Sequence, residues 1–104
     1  MDSSSHFHLS IMPICRARIQ TLAVRAKSLA YGVRFAVVLT SIRHQLETNP
    51  RNWGDPNFRF HGLDLVSYLR VEEKLRVVYA VHETNPVVFL RELEPLPGHP
   101  LAAS

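Results

Sequence analysis

Cysteine is nearly absent from this chain, with Cys15 alone among 104 residues. One thiol closes no intrachain disulfide and cannot build a cysteine-rich zinc site; such usage fits a reducing cytoplasm. Glycine is scarce at four residues, and no glycine-rich loop that could cradle a phosphate occurs. Long apolar runs are missing too. The run 35–39 is bounded by Arg34 and Arg43, far short of the roughly 20 residues a membrane helix needs, so no membrane contact is expected. The N-terminus lacks the basic and apolar segments of a secretion signal. His6, His8, His44, His61, His82 and His99 are scattered, so neither a metal nor another cofactor is expected. Paired catalytic carboxylates and a serine elbow are likewise missing.

Acid is the last scarcity, and it is local. Up to Leu46, Arg16, Arg18, Arg25, Lys27, Arg34 and Arg43 face Asp2 alone, although the net charge of the whole chain is only +3. Basic helices of this kind suit nucleic acid phosphates or an acidic protein, or they are simply solvated faces. Hydrophobic residues at 46% and charged residues at 20% are ordinary globular proportions. Residues 1–104 therefore make one small domain, with residues 1–5 and 97–104 expected to fray.

Phe7, Leu9 and Ile11 alternate with polar neighbours and predict a short strand that Pro13 ends. Cys15, Ile19, Leu22, Ala26 and Leu29 then recur at helical spacing, as do Phe35, Val38, Leu39, Ile42 and Leu46. Helices over 14–30 and 33–47 follow, broken at Tyr31-Gly32, where glycine suits a helix C-terminus. So short a connection makes them an antiparallel hairpin. Residues 51–57 read as a turn-rich loop, with Trp53 lidding one end of the core, and residues 58–61 as a short edge strand. Strands are expected over 63–71, 75–83 and 87–93, the middle one apolar on both faces as a central strand should be. The fold class is α+β: two layers, a helical hairpin on one face of a mainly antiparallel sheet, the other face left open.

The run from Leu63 to Val81 decides the functional argument. With Glu72-Glu73-Lys74 as a three-residue turn, Val71 would face Leu75 and Arg70 would face Arg76. Tyr68 would share the arginines' open face, with Leu65 and Leu69 turned to the helices. Like charges directly opposite are destabilising, so something should offset them. One answer is a carboxylate: Glu92 stands opposite Arg76 if Val81 pairs with Val87. The other is a bound anion, because guanidinium groups grip phosphate through a planar fork of donors.

The segment Tyr68-Leu-Arg-Val71 followed by Leu75-Arg-Val-Val-Tyr79 resembles the RelE/ParE family of bacterial type II toxins. The order of elements matches as well. The family's segment reads approximately Tyr-Arg-x-Arg-Val-Gly, then Tyr-Arg-Val-x-Tyr. The resemblance implies a cytoplasmic toxin neutralised by a cognate antitoxin, and metal-independent cleavage of ribosome-bound mRNA. Arg70, Arg76 and, more loosely, Arg91 would be its catalytic residues, with Tyr68 stacking on a base and Lys74 assisting electrostatically. This chain departs by placing Glu72-Glu73 at the family's glycine and Glu92 and Glu94 after Arg91. Those acids leave open a second reading, a non-catalytic protein-binding module of the same fold, either a gyrase inhibitor or an antitoxin-like adaptor.

Overall fold

A computed structural model describes residues 6–102; the fraying expected of residues 1–5 falls outside them. Strand β1 (His8–Ile11) leads into helix α1 (Pro13–Ser28), whose first turn is set by Pro13 at a position where a missing N–H costs nothing. Arg25 and Lys27 sit in its last turn, where the helix dipole favours cations. The break before α2 (Gly32–Thr48) falls at Ala30, which takes φ +59°; Gly32 instead opens α2. Asn49 ends α2, and Pro50–Trp53 then make one helical turn, α3, inside the expected loop.

Four strands complete the chain: β2 (Asp55–Phe60), β3 (Leu65–Glu72), β4 (Leu75–His82) and β5 (Val87–Pro95), in the sheet order β1-β5-β4-β3-β2. β1 runs parallel to β5 and every other pair is antiparallel. The helical hairpin therefore carries the chain across one sheet face, from the β1 edge to the β2 edge. Leu22, Ala26, Phe35, Val38, Ile42 and Leu46 pack there against Val77, Tyr79, Val81, Val88, Leu90 and Leu93. A fully buried aliphatic or aromatic side chain contributes about 1.5–3 kcal/mol, so this single layer supplies most of the core. Leu29, expected in that stripe, is exposed.

Two expectations are corrected. The β3–β4 turn has two residues, not three: Glu73 and Lys74 both adopt positive φ (50° and 63°), the mark of a type I′ hairpin. Glu72 pairs with Leu75, Val71 with Arg76, Arg70 with Val77 and Tyr68 with Tyr79. A slip of one residue moves a strand's entire side-chain set to the other face. Tyr68 and Arg70 thus point to the helix side, while Leu65 and Leu69 point to the open side. The C-terminal segment also packs instead of fraying up to residue 102. Leu101 is 1% exposed, and Leu96 N–H donates to the Lys74 carbonyl at 2.8 Å.

Candidate functional site on the open sheet face

Arg70 and Arg76 lie on opposite faces of the sheet, so they form no common anion site. Arg70 reaches the rim of the covered face. Its Nη1 donates to the Trp53 carbonyl at 3.0 Å, its Nη2 to Glu72 Oε1 at 3.2 Å, and its guanidinium lies 5.2 Å from the Trp53 ring centroid. Trp53 lies 5.9 Å from Tyr79, as a core lid should. Tyr68 is buried and stacks on Tyr79 at 5.3 Å, with 7° between the rings, so no base can reach its flat face there. Tyr79 O–H donates to the Pro50 carbonyl at 2.6 Å and accepts from Gly54 N–H at 2.8 Å. Burial pushes its pKa up, making it a structural hydroxyl.

The open face holds Arg76, and Val71 stands directly across from it. Arg76 Nη2 donates to Glu92 Oε1 at 2.6 Å, although its backbone partner is Glu94 and not Glu92. Glu94 is taken by Arg18 of α1, Nε to Oε1 at 3.0 Å. The Lys74 side chain lies beside Gly98, which takes φ +96°, and not on the open face near Arg91. His82 accepts N–H groups from Thr84 and Asn85 through Nδ1, capping the β4–β5 turn. Cys15 is held as a thiol, with its pKa pushed up to about 11, first by burial and then by Glu94. None of these groups is poised as a general base.

Arg91 differs from the others. The register of β5 shifts between its pairings with Val78 and Tyr79, so Arg91 is the extra residue of a β-bulge. That extra residue lets Leu90 and Leu93 both face the core and turns Arg91 toward the open side with Glu92. Its guanidinium lies 5.2 Å from the Phe60 ring centroid, and among the described residues no carboxylate is paired with it. Together with Met12, Phe60, Leu63, Leu65, Ala80 and Phe89 it lines a hollow of about 300 Å3. Sequence reading missed this group. Its signal is the alternation Phe58-Arg-Phe60 and Phe89-Leu-Arg91, two strands that bring aromatic residues to the face left open by the helices.

A chain of the crystal structure of the archaeal RelE–RelB complex from Pyrococcus horikoshii OT3 superposes with a TM-score of 0.59. The match spans 89% of this chain and 98% of that chain at 23% sequence identity. The present chain is accordingly an α+β protein with a RelE-like fold. No protein-family model and no curated protein matches the sequence. Among the described residues no helix is long and apolar enough to cross a membrane.

Proposed function

We propose that this chain is the toxin-type component of a cytoplasmic toxin–antitoxin pair, neutralised by a cognate antitoxin, and that it acts by holding a protein on its open sheet face. The likeness to a chain of a RelE–RelB complex supports the antitoxin partner. One observation favours protein binding over RNA cleavage: Val71, not Arg70, stands opposite Arg76. Cleaving a phosphodiester needs converging cations for the developing charge and a base for the attacking hydroxyl. On this face Arg76 is neutralised by Glu92, and the histidine at the strand end is occupied by its turn. Apolar side chains take up much of the rest: Leu63 lines the hollow and is exposed, Phe58 is exposed against Phe60, and Val71 is exposed at the far end of β3. Exposed apolar side chains gathered at a hollow mark an interaction site.

Metal-independent cleavage of ribosome-bound mRNA is the second reading. It is favoured by the guanidinium of Arg91, which has no carboxylate partner among the described residues. In that reading Arg91 and Arg76 would meet the phosphate, and Arg70, Tyr68 and Lys74 would support the fold around them. Expression with and without the adjacent reading frame tests the proposal. Induction of the chain alone should slow bacterial growth, and co-expression should restore growth and yield a complex that co-purifies. Normal growth with folded, soluble chain and no co-purifying partner would contradict it.

A further inference from the structure

The bulge at Arg91 gives the hollow one charged wall among apolar ones. Arg59, Arg70 and Arg76 are each paired with a carboxylate, from Glu83, Glu72 and Glu92 respectively. Arg91 instead lies against the face of Phe60, a contact that holds a guanidinium while leaving its N–H edge to bind. At about 300 Å3 the hollow is at the small end of ligand pockets, with room for about one large side chain.

We propose that this hollow receives one bulky apolar side chain of a partner polypeptide while a carboxylate next to it pairs with Arg91. The inference rests on the protein-binding reading of the open face and names the chemistry of the anchor. Phe60, Leu65, Ala80 and Phe89 supply the apolar contact, and Arg91 fixes direction, because a fork of donors meets a carboxylate edge to edge. Charge decides against a nucleic acid as occupant. Each nucleotide adds a phosphate, and among the described residues Arg91 is the one cation lining the hollow, whose other walls are apolar, so a run of phosphates would find a single counter-charge there. A single carboxylate beside an apolar group meets Arg91 alone.

The probe is N-acetyl-phenylalanine, set against its uncharged amide and followed by NMR of the labelled chain. The acid should give saturable shifts at Leu65, Ala80 and Phe89, with the amide at least several-fold weaker. Arg91→Gln should bring the acid down to the level of the amide, and Arg91→Lys should recover part of the difference. Arg91 is exposed, so neither variant threatens the fold. Equal affinity for acid and amide, shifts elsewhere, or no saturable shift at the solubility limit overturns the inference. So does a hexaadenylate that occupies the hollow more tightly than the acid, which makes it a nucleic acid site. Co-purification with the neighbouring gene product separates the two claims. A complex equally tight with wild type and Arg91→Gln overturns the anchor and leaves the toxin–antitoxin reading standing. Acid binding in the hollow without any captured partner supports the anchor chemistry and contradicts that reading.

Discussion

The two faces of this sheet are both apolar, for different reasons. On the covered side β4 places Leu75, Val77, Tyr79 and Val81 beneath the helical hairpin, where other elements exclude the water. On the other side the same strand places Val78 and Ala80, at 7% and 1% exposure, with no helix above them. Val78 lies between Leu69 and Glu92 of the neighbouring strands, and Ala80 lies lower, among Phe60, Leu65 and Phe89, as the floor of the hollow. Burial under a helix buys stability. Burial at the floor of a hollow gives shape, and leaves an opening that a partner can fill. The arginines divide in the same way: Arg70 on the covered side ties β3 to α3, whereas Arg91 on the open side keeps its hydrogen-bonding edge free.

Truncating one aromatic on each side should show the largest contrast. Phe35→Ala, from the centre of the covered core, should cost about 3–5 kcal/mol in urea unfolding. Phe58→Ala on the open side, where the ring is 59% exposed, should stay within about 0.5 kcal/mol. Equal losses would mean that the open face is covered by something in solution.

Next in size is Tyr79→Phe. It removes the partner of both the Pro50 carbonyl and the Gly54 N–H, and an unsatisfied buried group costs about 1–3 kcal/mol. A smaller and more discriminating pair is Arg70→Ala against Arg76→Ala. The first loses a bond to a backbone carbonyl and a cation–π contact and should cost about 1 kcal/mol. The second loses one half-exposed ion pair and should cost about 0–0.5 kcal/mol. Matching values would undo the assignment of the two arginines to different faces.

How far the sequence revealed these faces depends on which signals carry physical weight. The stripe Phe35, Val38, Ile42 and Leu46 stated its period plainly, and the doubly apolar β4 declared itself central. The register was hidden because Glu73 and Lys74 take a left-handed conformation that Asn-Gly would advertise and these residues do not. The bulge at Arg91 left one mark, the spacing of three between Leu90 and Leu93 in a strand that otherwise alternates by two, and it was not read as a bulge. Three prolines near the end read as a loose tail, yet Leu101 beyond them is core.

That tail carries the smallest expected effect. His99 Nδ1 accepts the Leu101 N–H at 2.9 Å, its Nε2 is buried without a partner among the described residues, and its ring meets Tyr31 edge-on. Burial first, and Lys74 second, lower its pKa below the ordinary 6.5, against a small opposing pull from Glu73. The unfolded chain therefore binds this proton more readily than the folded one. Stability should be complete above pH 6.5 and fall as pH drops below it toward the folded-state pKa. His99→Gln should flatten that part of the pH profile in thermal unfolding, and an unchanged slope would remove His99 as its source.

The central claim is that the open face holds a polypeptide and does not cut RNA. Purified chain added to a bacterial cell-free translation reaction, with the mRNA ends mapped by primer extension, tests it most directly. Intact mRNA in the presence of folded chain is the predicted result. New cleavage ends on ribosome-bound mRNA that disappear with Arg76→Ala or Arg91→Ala would contradict it.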